Sequence, residues 1–349
     1  MGEVRVAIVG ATGYVGAELL RLLLVHPSAK VTLLAARSGT GEAVSRALPS
    51  FTGVCDLPIE AFSPELVRER ADAAFCALPH GASAETVKAL RAVGVVALDM
   101  SADFRLHDLA AHRFWYGDHH APELMRHAVY GLPELHRAAI AKADLIAVPG
   151  CYPTASILGL APLVRAGLIS LDGLVVDAKS GVSGAGKSPS QGTHFSETSE
   201  GIRAYKAGGQ HRHTAEIEQE LSRIAGKEMR VTFTPHLVPM TRGILATSYA
   251  MATDASVTAQ RCTEVAREMY AGSVSVAVLD PGKHPDTLWV RGSNRAHVAY
   301  ARDDRTGRII AMSTIDNLVK GAAGQGVQCL NLRFGLPESA GLASAGLAP

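Results

Sequence analysis

No run of like charge, no closely spaced cysteine pair and no long apolar segment occurs in this chain, and each absence removes a class of function. The formal net charge is +1 and 19% of residues are charged, without a basic stretch. That argues against nucleic acid or a membrane surface as the main partner. The five cysteines, Cys55, Cys76, Cys151, Cys262 and Cys329, are odd in number and widely separated. Neither a disulfide framework nor a metal site is therefore expected, and a reducing cytoplasm fits best. No apolar run is long enough to span a bilayer. A strand pattern begins close behind Met1, so no signal peptide is expected. The chain also lacks internal repeats and low-complexity linkers, although the tail from Ala340 to Pro349 is rich in small residues. What remains is a cytoplasmic globular protein acting on small molecules, and 349 residues suit two domains.

The N-terminus carries the first positive signal. Val4-Arg-Val-Ala-Ile-Val9 reads as a buried parallel strand that runs into Gly10-Ala-Thr12-Gly13-Tyr14-Val15-Gly16, and a helix follows with Leu19, Leu20, Leu23 and Leu24 inward. Strand, glycine turn and helix are what a dinucleotide site needs, because glycine lets backbone N–H groups approach a pyrophosphate and the helix N-terminus stabilises its charge. The spacing is Gly-x-x-Gly-x-x-Gly, a variant found in extended reductases and semialdehyde dehydrogenases. A tight turn with no ligand is the alternative. The next strand, Val31 to Ala36, ends without the acidic residue that an NAD ribose requires and is followed by Arg37-Ser38. A guanidinium fork and a hydroxyl suit a 2′-phosphate, so NADP(H) is the expected cofactor.

Helical and strand patterns alternate up to about Val148, as a parallel α/β sheet requires. Ala73 to Leu78 and Val95 to Met100 are strands, with a helix from Ser83 to Val93 between them. The loops at their carboxyl ends, Leu78-Pro79-His80-Gly81 and Ser101 to Arg105, are placed to face cofactor or substrate. Beyond Ala161 the loops lengthen, and strands are predicted near 174–179, 230–235, 243–252, 288–291 and 297–302. The fold class is α/β: a Rossmann-type parallel sheet domain over 1–150, completed by a C-terminal helix within about 315–349, and an α+β catalytic and oligomerisation domain over 151–314.

The most telling stretch is Gly150-Cys151-Tyr152-Pro153-Thr154, between an apolar strand and an apolar helix. Proline suits the first helical turn. Cys151 therefore stands where unpaired N–H groups and the positive end of the helix favour a thiolate, the nucleophilic form. A small buried thiol under a turn is the alternative. Gly209-Gln-His211-Arg-His213-Thr-Ala-Glu216 presents two imidazoles from the loop entering a second helix, with Thr214 as N-cap and Glu216 in its acidic first turn. A cysteine and a histidine are the minimum apparatus for aldehyde–thioester chemistry. Spacing does not decide which histidine is the base. We take His211 as the base and His213 as a substrate or orienting contact. Arg105, with its rigid fork, is the candidate for a substrate anion or, equally, for a structural ion pair with Asp103 or Asp108. Ser180-Gly181 and the following Gly184-Ala-Gly186 form a loop able to approach nicotinamide or the substrate's phosphate closely.

Together Gly10 to Gly16, Ala77-Leu-Pro-His-Gly81, Ser101-Ala-Asp-Phe-Arg105, Tyr130-Gly-Leu-Pro-Glu134, Val148-Pro-Gly-Cys-Tyr-Pro-Thr154, Ser180-Gly-Val-Ser-Gly-Ala-Gly186, His211-Arg-His-Thr214, Thr241-Arg-Gly-Ile-Leu245 and Ile315-Asp-Asn317-Leu-Val-Lys-Gly321 resemble the N-acetyl-gamma-glutamyl-phosphate reductases. The resemblance covers essentially the whole chain. It implies NADPH-dependent reduction of N-acetyl-glutamyl 5-phosphate to the 5-semialdehyde in arginine biosynthesis, by a cytoplasmic homo-oligomer, commonly a tetramer. It further implies a nucleophilic cysteine at Cys151, assistance from the His-Arg-His element, and a cofactor contact at Asn317. A lysine-pathway paralogue, which reduces an aminoadipyl phosphate on a carrier protein, shares most motifs but tends to replace Cys-Tyr-Pro by Cys-Asn-Ala. Tyr152-Pro153 and Ser180-Gly181 favour the free acetylglutamyl substrate. A non-catalytic NADP sensor would leave Cys151 and His211 without a role, and a cysteine hydrolase would have no use for a dinucleotide site.

Overall fold

Segments that read as apolar runs between glycine turns become the strands of a parallel sheet. The computed structural model describes residues 2–36 and 38–348. The chain divides into two units, residues 1–149 with 322–343 and residues 150–321 with 344–349.

In the first unit β1 (Val4–Val9), β2 (Ala29–Ala35), β3 (Ile59–Glu60), β4 (Ala73–Cys76), β5 (Val96–Asp99), β6 (Ala128–Tyr130) and β7 (Leu145–Ala147) form a sheet of order β3-β2-β1-β4-β5-β7-β6. Every neighbouring pair is parallel. Ile8, Leu34, Phe75, Leu98 and Ile146 are fully buried, as strands covered on both faces require. The strand order reverses between β1 and β4, and their carboxyl ends carry Gly10 and Ala77-Leu78, the position where open α/β sheets hold ligands. The last helix, Gly324–Arg333, returns to this unit and packs on the helices Tyr14–Leu23 and Pro133–Ile140. Gly326 allows the approach, since a β-carbon there would stand 3.0 Å from the Phe75 ring. The buried Asn331 binds the His26 Nε2 at 2.9 Å and donates to the carbonyls of Glu338 and Ala340.

In the second unit β8 (Leu174–Ser180), β9 (Arg203–Ala204), β10 (Val231–Leu237), β11 (Ile244–Met251), β12 (Val276–Val278), β13 (Ala296–Asp303) and β14 (Arg308–Ile315) form a mixed sheet of order β12-β13-β14-β11-β8-β10-β9. Alternate residues Leu174, Val176 and Ala178 of β8, and Ile244, Ala246 and Ala250 of β11, are buried. The helix Cys151–Arg165 lies on β11 and β14. Its residues from Tyr152 to Val164 are all buried, which explains why this helix is apolar on every side.

Three expectations are corrected here. Leu288 to Arg291, read as a strand, begins in a 3-10 turn, Thr287–Trp289, because Asp286 Oδ1 accepts from Leu288 N at 2.9 Å. The strand β14 went unread; it pairs with β13 through a tight turn in which Asp303 accepts from Arg305 N and Gly307 takes φ +71°. Residues 315–321 and 344–349 belong to the second unit rather than the first. Ile315 closes β14 between Ile244 and Ala296. The fully buried Asp316 accepts from Gly292, Leu318 and Val319 N–H groups, and Leu347 N donates to Arg291 O. Among the described residues no helix is long and apolar enough to cross a membrane.

Candidate active site

Cys151 is the first residue of its helix, behind an extended Gly150 with φ −67° and ψ 152°. No side chain caps this helix end, so its first N–H groups remain directed at whatever charge lies at Cys151. Gly150 is glycine for a steric reason: a β-carbon there would stand 2.5 Å from His213 Nε2. The imidazole of His213 therefore lies directly against the residue preceding the cysteine. Gly321 has a matching role, because its own β-carbon would come within 2.8 Å of Cys151 Cβ.

Glu216, which the sequence presents only as a first-turn acid, holds this arrangement. Glu216 is fully buried, accepts from Gly150 N at 3.0 Å through Oε2, and keeps Oε1 3.8 Å from His213 Nε2. One carboxylate thus holds the main chain before the cysteine and faces the imidazole beside it. The i,i+3 spacing of His213 and Glu216 on one helical face was the available signal.

His211 sits differently. Its Nδ1 accepts from His213 N at 3.1 Å, so in the neutral ring the proton is on Nε2. Burial first, then the neighbouring His213 and Lys206 charges, push its pKa down to about 3. Its ring packs edge-on against Tyr152, Tyr205 and Phe233 at centroid distances of 5.6, 5.6 and 5.3 Å. Tyr205 donates to the Tyr152 hydroxyl, and Tyr152 donates to His236 O. Burial raises both phenols, Tyr205 to about 12.

Cys151, His211 and His213 open into a cavity of 450 Å³ that Ser180, Gly181 and Gly184 also line. Gly181 has no room for a side chain, because a β-carbon would meet Thr241 O at 2.7 Å. Asn317, expected at the cofactor, is buried in this unit: it accepts from Gly243 N at 2.8 Å and donates to Ser183 Oγ at 2.9 Å. It holds the main chain and the loop that carry Ser183 and Gly184.

The remaining candidates lie in the first unit. Arg105 is 7% exposed, and its guanidinium donates to Val148 O at 2.7 Å and Met100 O at 3.0 Å. The carboxylates considered as its partners are engaged elsewhere: Asp103 receives Gly81 N, Ala84 N and His80 Nδ1, while Asp108 caps the helix Leu109–Tyr116. At the glycine turn, Gly10 has φ +91° and its β-carbon would collide with Ala77 O at 2.2 Å, and one on Gly16 would collide with Gly10 O at 2.3 Å. Gly13 is the N-cap of the helix Tyr14–Leu23, with no side-chain cap and no acidic residue in the first turn. This uncapped, unopposed helix start fits a pyrophosphate. Thr12 and Val15 are half-buried, and Tyr14 is exposed. Leu78 lies against Gly10, Pro79 is exposed beside it, and Ser38 is exposed after β2. Arg37 lies outside the described residues.

Comparison with known proteins agrees with this division. Residues 5–143 match the model of the semialdehyde dehydrogenase NAD binding domain, and residues 151–317 that of the semialdehyde dehydrogenase dimerisation domain. The chain is 49% identical over 345 residues to an N-acetyl-gamma-glutamyl-phosphate reductase of Geotalea daltonii, covering 99% of each. It is 48% identical over 347 residues to one of Moorella thermoacetica, covering 99% of this chain and 100% of that one. Among solved structures, aspartate semialdehyde dehydrogenase II of Vibrio cholerae superposes with a TM-score of 0.71 at 19% identity, over 95% of this chain and 98% of the other. Aspartate semialdehyde dehydrogenase with NADP from Candida albicans superposes at 0.72 and 17%, with the same coverage. Sequence over its full length and fold in both units thus agree, and the chain belongs to the semialdehyde dehydrogenase family.

Proposed function

We propose that this chain reduces N-acetyl-L-glutamyl 5-phosphate to N-acetyl-L-glutamate 5-semialdehyde and phosphate, with NADPH as reductant, in arginine biosynthesis. The observation that carries the reading is a cysteine at an uncapped helix start, with an imidazole packed on the preceding glycine and a buried carboxylate behind both. The names of the full-length relatives supply the substrate.

The Cys151 sulfur attacks the acyl carbon; the C–S bond forms, the C–O bond to phosphate breaks, and a thioester remains. Bound NADPH supplies the hydride that reduces it. His213 holds a proton on the oxygen of the resulting thiohemiacetal and takes it back as the C–S bond breaks, releasing aldehyde and restoring the thiolate. We assign this role to His213 in place of His211. A ring with a pKa near 3 stays neutral at physiological pH, and its Nδ1 is already used to hold the His213 main chain. Glu216 is a positioning residue for His213 and for Gly150. Arg105 donates to Val148 O and Met100 O and holds the main chain there.

Gly10, Thr12, Gly13, Tyr14, Val15 and Gly16 hold the dinucleotide with Leu78 and Pro79. Arg37 and Ser38 read its 2′-phosphate, since no acidic residue ends β2. The chain works as a cytoplasmic homo-oligomer, a reading supported by the dimerisation-domain match and tested by light scattering.

Purified chain given N-acetyl-L-glutamate 5-semialdehyde, phosphate and NADP⁺ is expected to form NADPH in a phosphate-dependent manner. Cys151→Ala is expected to bind NADPH without turnover. Binding without turnover in the unaltered chain would make it a sensor, and turnover of an aminoadipyl substrate alone would move it to the lysine pathway.

A further inference from the structure

Two carboxylates of the first unit, Asp99 at the end of β5 and Asp103 in the turn behind it, are buried and take no part in the chemistry proposed above. Asp99 Oδ1 accepts from Ser83 Oγ at 2.6 Å and from Ser101 N at 3.0 Å, and its Oδ2 accepts from Ser101 Oγ at 2.9 Å. Ser101 Oγ in turn accepts from Asp103 N at 3.0 Å. On the other side His119 Nε2 donates to Asp103 O at 2.8 Å, because its Nδ1 is already accepting from Ala121 N. The Asp103 main chain is therefore held at both ends, and its carboxylate has a fixed aim.

That aim is the loop after β4. Asp103 Oδ1 accepts from Gly81 N at 2.9 Å and lies 2.8 Å from His80 Nδ1, while Oδ2 accepts from Ala84 N at 2.9 Å. The helix Ser83–Ala92 has no side-chain cap of its own, so Asp103 supplies from another element the acceptor that its first turn lacks. His80 is also held at its far side, with Nε2 3.3 Å from Tyr116 O and the two rings 4.7 Å apart. Gly81 takes φ +83°, which turns the chain from the strand end into the helix. One buried carboxylate thus anchors Leu78-Pro79-His80-Gly81 at a main-chain and a side-chain point. A loop ordered in advance leaves a ligand less ordering to impose, and so raises its affinity.

What the loop meets follows from the order of the strands. β2, β1 and β4 are neighbours in that sequence across the sheet. With the 2′-phosphate at the end of β2 and the pyrophosphate on the turn after β1, the dinucleotide runs across the strand ends toward β4. Leu78 marks the arrival point, because its Cδ2 is 3.4 Å from where a β-carbon on Gly10 would stand. We infer that Asp103 is a positioning residue for the nicotinamide half of NADPH, acting through the loop Leu78-Pro79-His80-Gly81 that it holds. This rests on the proposed placing of the pyrophosphate at Gly10 to Gly16 and of the 2′-phosphate at the end of β2.

The test is calorimetric titration of the full chain with NADPH and with adenosine 2′,5′-bisphosphate, which carries the 2′-phosphate half and no nicotinamide. Asp103→Ala is expected to raise the Kd for NADPH by about tenfold or more, the loss expected for one charge-assisted bond, and to leave that for the bisphosphate within about twofold. The fluorescence of NADPH bound to Asp103→Ala at saturation is expected to move toward that of free NADPH, since the nicotinamide is the emitting group. Asp103→Asn keeps one oxygen for Gly81 and His80 and turns its amide on Ala84 N. It is expected to melt at a lower temperature yet to bind NADPH within about threefold of the unaltered chain. Equal losses for both ligands in Asp103→Ala, no loss for either, or a loss in Asp103→Asn as large as in Asp103→Ala overturns the assignment. Should Asp103→Ala fail to fold, His80→Ala removes one anchor and leaves the helix start intact, and unchanged NADPH affinity in it overturns the assignment equally. Both readouts are taken without turnover, so a chain that binds NADPH and reduces nothing sinks the proposed reaction and not this role. An unaltered chain that binds NADPH but not the bisphosphate sinks the reading of the 2′-phosphate at β2, and the fluorescence comparison still decides Asp103.

Discussion

Replacing Gly150 by alanine isolates the contribution of the His213 position, because the change adds one carbon and little else. The backbone at φ −67° and ψ 152° is open to alanine, so no dihedral strain enters. The new β-carbon would stand 2.5, 2.8 and 2.9 Å from Nε2, Cε1 and Cδ2 of His213. Contacts between such atoms settle near 3.5 Å, so the ring has to withdraw by about 1 Å. A displacement of about 1 Å between reacting groups lowers a rate by about a hundredfold, or about 2.7 kcal/mol of barrier. The packing penalty on the fold is about 1–3 kcal/mol, which a chain of this size survives. Steady-state kcat, with the rate of Cys151 alkylation by iodoacetamide as a control for an intact nucleophile, measures the effect. Adding His213→Asn to Gly150→Ala is expected to cost no more than His213→Asn alone, because the ring that clashes is then gone. A kcat within threefold of the unaltered chain (about 0.7 kcal/mol) would refute the proton role of His213.

Replacing Cys151 by serine is expected to lower kcat by about ten-thousandfold or more while NADPH still binds, as measured by turnover and fluorescence titration. Glu216→Gln removes the charged acceptor of Gly150 N and is expected to lower kcat/KM about tenfold to a hundredfold. Glu216→Ala is expected to lower the melting temperature as well, and indifference to both changes would discard Glu216 as a positioning residue. Stability is expected to fall with pH below 6.5. His211 and the buried His112 have folded-state pKa values of about 3 and about 4, so between those values and 6.5 the unfolded chain binds more protons and acid favours it. The loss is about 1.4 kcal/mol per pH unit for each ring, readable by urea unfolding at pH 7, 6 and 5. A flat profile would contradict the buried neutral imidazoles.

Much of the first unit was legible because its signals are local. Val4 to Val9, Gly10 and the helix after Gly16 are contiguous, and Gly13 and Gly16 answer contacts with Gly10 in the same turn. Cys151 was legible for the same reason, since proline and an apolar helix follow it directly. The histidine assignment was not, because what separates His211 from His213 is the burial of one ring and the carboxylate behind the other. Glu216 looked like an ordinary first-turn acid. Its hydrogen bond to Gly150 spans 66 residues and leaves no trace in spacing. Leu288 to Arg291 carried the composition of a strand, yet one aspartate before it set a turn.

The return of Gly324–Arg333 to the parallel sheet unit has a consequence for how the protein is made. A nascent chain emerging from the ribosome can pair all seven strands of that sheet while the helix that covers Tyr14–Leu23 and Pro133–Ile140 is still untranslated. The second unit, almost uninterrupted from 150 to 321, is synthesised in between. Its folding is therefore finished, or nearly so, before the N-terminal half can close, and the bare helix faces of that half are the surface that a chaperone would have to shield.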